Sequence, residues 1–242
     1  MLLFGISTEP LVERAKTQAN AAFRRVMQDW AGVPRGPLGW ISAHTVLTTG
    51  NATFRQIADA CQFRDDDAWL DLACGSGAFL AEQGASVQHV AGIDLSDIQV
   101  PMAQRKLADR IAAGTAEIVK GDAAQMPWPD GTFTVVTACS AFEVFPDAEK
   151  VLAEVFRVLR PDGRAVLNIG ERVKPGTETH QGWGGIPVWS EDDVRAMVER
   201  AGFTDVTIQY IDWAGDSRVG KLFAKVAGPI GGDLRLVRGV KP

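Results

Sequence analysis

The sequence predicts an α/β protein built on a doubly wound, mostly parallel sheet with helices on both faces. Three observations carry this expectation. Short apolar runs alternate with amphipathic stretches at helical spacing from Trp69 to Ile169. The segment Trp69-Leu-Asp-Leu-Ala-Cys-Gly-Ser-Gly-Ala-Phe-Leu80 passes from a buried-strand pattern through Gly75 and Gly77 into a helix. Acids close the successive strands at Asp71, Asp94 and Asp122, the end at which an open α/β sheet holds its ligand.

The whole chain sets the bounds. At 242 residues it fits one large α/β domain with a well-buried core, and two full domains would be cramped. A net charge of −5 speaks against a broad nucleic-acid-binding face. Cys61, Cys74 and Cys139 form no Cys-x-x-Cys pair, which argues against a disulfide framework or structural zinc and fits a reducing cytoplasm. Met-Leu-Leu-Phe has neither the basic region nor the apolar core of a signal peptide. No apolar stretch approaches the length of a membrane span.

Taken in order, residues 8–30 repeat apolar positions on one helical face, with Thr8 as cap and Pro10 in the first turn. This helix either packs on the core or covers a site. Gly32, Pro34, Gly36, Pro37 and Gly39 then break the chain. We expect a helical extension over 1–50 and one domain over 51–242. That domain begins with a helix from about Thr53 to Cys61. Strands follow at Trp69, Val87–Asp94, Ala116–Lys120, Phe133–Cys139 and Ala165–Ile169, separated by helices from Ala78, over Ile98–Ala112 and over Ala148–Leu159. Glu171 to Val188 shows no periodicity and reads as a long loop. Ser190 with Asp193 opens a helix through Arg200, closed by Gly202. Val206–Trp213 and Asp233–Pro242 read as the last strands. Between them, Ser217–Gly228 reads as an ordinary helix with a solvated face, or else as a membrane-surface or acidic-substrate contact.

The glycine turn has a distinct chemistry. A dinucleotide fingerprint would place its third glycine at position 80, which is Leu80, and no Gly-Lys-Ser/Thr is present for a P-loop. Asp71 stands four residues before Gly75 and would repel a pyrophosphate there. It suits a cationic ligand carrying an ammonium or a sulfonium. Asp94, seventeen residues after Gly77, is placed to accept hydrogen bonds from both hydroxyls of a ribose.

Together with Gly121–Val136 and Glu154–Leu167, which contains a Pro-Asp-Gly turn before the fifth strand, these motifs resemble the class I S-adenosylmethionine-dependent methyltransferases. Within them the chain is similar to the small-molecule group that includes the quinone-biosynthesis methyltransferases. The resemblance covers roughly residues 50–170. It implies a Rossmann-like, seven-stranded sheet whose last strand is antiparallel, and S-adenosyl-L-methionine as cofactor, with S-adenosyl-L-homocysteine as product. It further implies that Asp71, Ala73, Gly75, Ser76 and Gly77 position the amino-acid end of the cofactor. Asp94 would hold the ribose, with Leu95 and Met102 against the adenine. Asp122 and Ala123 would meet the adenine amino group, and Cys139 and Ser140 the methyl-donor end. The chain departs from the family pattern at Thr134, where an acid is common, and at Asp162, where glycine is usual; both departures bear on local geometry.

No metal is obligatory for such a transfer, and the sequence offers no metal cluster. Catalytic candidates are Glu143, His180 and His44, and Trp40, Phe142 and Trp183 could supply flat area for a partly apolar acceptor. Each of these also has a purely structural reading. Other functions on the same pattern are a fold that binds the cofactor but catalyses a cyclisation, a partner subunit, or an NAD-dependent oxidoreductase. The missing third glycine and Asp71 oppose the last. The expected partner is a small-molecule acceptor, the expected assembly a monomer or homodimer.

Overall fold

The apolar run at Trp69 becomes strand β1, Ala68–Leu72, in a computed structural model that describes residues 51–139, 141–170, 189–211 and 234–242. Helix α1 (Asn51–Cys61) precedes it, and α2 (Ala78–Gln83), β2 (His89–Asp94), α3 (Gln99–Lys106), α4 (Ala108–Ala112) and β3 (Ala116–Lys120) follow. Then come β4 (Phe133–Ala138), α5 (Ala148–Val158), β5 (Leu159–Gly170), α6 (Glu191–Arg200), β6 (Thr204–Ile211) and β7 (Leu234–Val240). The sheet has seven strands in the order β3-β2-β1-β4-β5-β7-β6. Strands β1 to β5 pair in parallel, while β7 runs antiparallel to both β5 and β6.

Alternation along each strand sends side chains to two separate cores. Leu70, Leu72, Ala91, Ile93, Val136 and Ala138 pack against α5 and α6. Trp69, Val90, Val135, Val166 and Leu236 pack on the other face against α1, α2 and α3. Both faces of the parallel strands are therefore covered, which explains why their sequences read as continuous apolar runs.

The capping box expected at Ser190 is formed: the Ser190 hydroxyl accepts from Asp193 N and the Asp193 carboxylate accepts from Ser190 N. Strand β2 starts at His89 instead of Val87, β6 spans Thr204–Ile211 instead of Val206–Trp213, and β1 runs one residue past Asp71 to Leu72; two further boundaries differ more. The helix expected over Ile98–Ala112 is divided at Leu107, whose ψ of 16° breaks the ladder between α3 and α4. Strand β5 begins at Leu159 instead of Ala165. The Pro-Asp-Gly segment stays in the sheet as an irregularity because Asp162 N donates to Lys241 O and Lys241 N to Gly163 O, each at 2.8 Å. Asp162 adopts φ 62°, a left-handed conformation that aspartate tolerates better than most residues. Thr134 accepts from Ala68 N at 3.0 Å and donates to Asp67 at 2.6 Å, tying β4 to the entry of β1.

At the amino end of the sheet, Arg164 closes a buried clamp. Its Nη2 meets Asp67 Oδ2 at 2.6 Å and Gln62 O at 2.9 Å, and its Nε donates to Cys61 O. The end of α1 is thereby fixed to β5. The expected helix over 8–30, the loop over 171–188 and the stretch 217–228 lie outside the described residues.

Candidate cofactor and acceptor site

The turn after β1 carries three left-handed residues, Ala73 (φ 47°), Gly75 (φ 55°) and Gly77 (φ 71°). At Gly77 a side chain is excluded twice over, since a Cβ would also come within 2.9 Å of Ala103 Cβ on α3. The turn is locked to β2. Gly75 N donates to Asp94 Oδ2 at 2.9 Å, Ser96 N to Asp94 Oδ1 at 2.8 Å, and Cys74 N to Ile93 O at 3.2 Å. Ser96 Oγ in turn accepts from Ile98 N and Gln99 N and so starts α3. Asp94 thus organises the edge while each carboxylate oxygen keeps a lone pair for a further donor. Burial pushes its carboxyl up, and the two backbone N–H groups pull it down in part.

Asp71 lies under this turn and is buried. Its register partner on β4 is Thr137, whose hydroxyl donates to Asp71 Oδ1 at 2.6 Å and accepts from Trp69 Nε1 at 2.8 Å. Burial raises the Asp71 carboxyl to about 7; the Thr137 hydrogen bond lowers it and the charge of Asp94 raises it further. Among the described residues no cation offsets this acid. Two more buried polar groups on these elements lack partners among the described residues, Ser76 Oγ and Gln99 Nε2. Leu95, directly after β2, is an exposed large apolar residue. A buried acid without a counter-charge, orphaned polar groups and an open apolar side chain fit a ligand with a cationic end, hydroxyls and a flat ring.

The remaining expected positions divide clearly. Met102 is half-buried on α3. Asp122 is exposed after β3, where Oδ1 accepts from Ala124 N at 2.8 Å, and Ala123 is buried beside it. Cys139 is half-buried at the end of β4. Glu143 is half-buried in the short turn Phe142–Val144 that follows β4. Phe142 departs from expectation: it is fully buried, its ring 5.9 Å from Phe145 and 5.7 Å from Trp189, so it packs the core and offers no open face. Ser140, His44, His180, Trp40 and Trp183 lie outside the described residues. Thr137 and Gln99 were missed in the sequence. Thr137 reads as one polar residue inside a strand pattern, and only the β1–β4 register reveals that it faces Asp71.

With this geometry in place, the proteins that the chain is similar to can be set beside it. Residues 70–167 match the model of a family described as a methyltransferase domain. A demethylmenaquinone methyltransferase from Lactobacillus johnsonii is 30% identical over 133 residues, 53% of this chain and 54% of the relative. A nocamycin O-methyltransferase from Saccharothrix syringae is 38% identical over 126 residues, 49% of this chain and 45% of the relative. The chain spans about half the length of the curated relatives it matches. Among solved structures, phosphoethanolamine N-methyltransferase 2 of Haemonchus contortus, in complex with S-adenosyl-L-methionine, superposes with a TM-score of 0.68 at 14% identity. That match covers 90% of this chain and 60% of the other. The chain therefore carries the Rossmann-like fold of class I S-adenosylmethionine-dependent methyltransferases. In sequence it is similar to the quinone-biosynthesis members of that group.

Proposed function

We propose that the protein transfers a methyl group from S-adenosyl-L-methionine to a small, partly apolar organic acceptor. The observation that carries this reading is Asp71, a buried acid without a counter-charge among the described residues, set beneath the glycine turn. An ammonium brought to that turn supplies the missing charge, which a pyrophosphate cannot. In this reading the turn from Ala73 to Gly77, with Ser76 Oγ, holds the amino-acid end of the cofactor. Asp94 accepts from the ribose hydroxyls. Leu95 and Met102 flank the adenine, and Asp122 with Ala123 meets its amino group. Gln99 Nε2 adds a donor beside them.

When bound, the cofactor supplies an electrophilic methyl on a positive sulfur. The protein's task is then to hold the acceptor in line, exclude water and receive a proton where the acceptor carries one. In this reading Cys139, with Ser140 after it in sequence, lines the methyl end, and Glu143, in the turn that follows β4, takes the proton. His44 and His180 remain candidates for the same task, and Trp40 and Trp183 for the acceptor wall. On the same reading, residues 1–50 are an extension that precedes the domain formed by 51–242. The cysteines Cys61, Cys74 and Cys139, which form no disulfide among the described residues, suit a cytoplasmic setting, as monomer or homodimer.

Incubation with methyl-labelled cofactor and candidate acceptors tests the reading. Label should move to an organic acceptor while S-adenosyl-L-homocysteine accumulates. Tight cofactor binding with every acceptor returned unlabelled but structurally changed would instead favour cyclisation or another reaction.

A further inference from the structure

Arg235, on β7, is fully buried, yet its guanidinium is largely unused. Nη2 donates to the Trp189 carbonyl at 2.7 Å, while Nε and Nη1 have no hydrogen-bond partner among the described residues. The ion pairs among the described residues engage Arg157, Arg164, Arg195 and Arg200 but not Arg235. Arginine cannot shed its proton to escape such a site. A buried, unpaired charge is strongly unfavourable, so its retention calls for an anion.

Its position says which molecule brings that anion. Arg235 pairs with Ile169 near the carboxyl end of β5 and with Tyr210 on β6. It shares a face with Val237 and Ile169, which belong to the core under α5 and α6. Trp189, whose carbonyl it holds, contacts Phe142 in the turn that carries Glu143. Arg235 therefore sits on the ligand edge beside the elements that follow β4 and β5. It is three strands from β1 and the glycine turn, about 14 Å at the usual strand spacing.

We propose that Arg235 anchors the methyl acceptor by pairing with a carboxylate on it, remote from the atom that is methylated. This inference rests on the methyltransferase reading above. Two strand spacings, about 10 Å, separate β7 from β4, so the anchored group is not the methylated one. A single guanidinium among Ile169, Val237 and Trp189 balances one negative charge. A phosphate dianion would leave net charge buried there, so the acceptor is a monoanion. The low-dielectric surroundings make the pairing selective against neutral analogues.

The test uses the full chain saturated with S-adenosyl-L-homocysteine and reads its melting temperature with benzoate and octanoate as probes. At least one of these acids should raise the midpoint by about 2 °C or more at saturation, with benzamide inactive. R235M should lose that shift and R235K should keep part of it, while both bind S-adenosyl-L-homocysteine as the wild type does. Should R235M not fold, R235K decides alone. The inference is overturned if neither acid shifts the wild type, if benzamide matches benzoate, if the folded variant keeps the full shift, or if inorganic phosphate alone gives the Arg235-dependent shift. Absence of S-adenosyl-L-homocysteine binding to the wild type is a separate failure and strikes the methyltransferase reading itself.

Discussion

Asp71 is buried beside Thr137 and near Asp94, and its carboxyl is raised from the ordinary value of 3.8 to about 7, chiefly by burial. The folded protein therefore holds a proton that the unfolded chain releases between about pH 4 and about pH 7. Stability from this group is present at the acid end of that window and declines as pH rises through it. Asp71→Asn should gain stability relative to the wild type as pH climbs from about 4 to about 7, as read by urea unfolding. An unchanged difference across that window would mean that Asp71 titrates normally. Asp94 differs because both of its oxygens already hold the edge together through Gly75 N and Ser96 N. Asp94→Ala should weaken S-adenosyl-L-homocysteine binding by about 1.5–3 kcal/mol, the scale for hydrogen bonds to a charged group. Undiminished affinity in a folded variant would remove Asp94 from the ribose site. Asp94 was legible in the sequence because it closes a continuous apolar run, and Asp71 because it interrupts one just before the glycine turn. Thr137 was not, since its link to Asp71 spans 66 residues and depends on strand register.

Among elements, the join between α1 and the sheet is the most consequential polar contact. Arg164 on β5 meets Asp67, Cys61 O and Gln62 O in a buried arrangement that also receives Thr134. Removing one partner leaves the other charge buried without its mate. Asp67→Asn should therefore destabilise the fold by about 3–5 kcal/mol in denaturant unfolding, with little effect on cofactor affinity in the folded fraction. A loss under about 1 kcal/mol would mark the clamp as incidental. The strands and helices around this join were readable because their period and caps are local, as with Ser190 and Asp193. The start of β5 was not. Its first residues are held in the sheet by the chain terminus at Lys241, a partner no local pattern announces. The burial of Phe142 was not legible for a similar reason: one of the rings it packs against, Trp189, comes from a distant segment.

Across the whole molecule, the sheet order places the two halves of the proposed reaction side by side. Strands β1, β2 and β3 offer the turn and acids suited to the cofactor, while β4, β5 and β7 carry Glu143 nearby and Arg235. The parallel order followed from the alternation of runs and helices. The antiparallel direction of β7 was implied by family resemblance alone, because a strand pattern carries no direction, and its place between β5 and β6 was not expected. Calorimetric titration of the wild-type chain with S-adenosyl-L-homocysteine and, separately, with NAD tests the central claim most directly. The acid beneath the glycine turn predicts saturable binding of S-adenosyl-L-homocysteine and no measurable binding of NAD. Tighter binding of NAD, or of neither ligand, would contradict it.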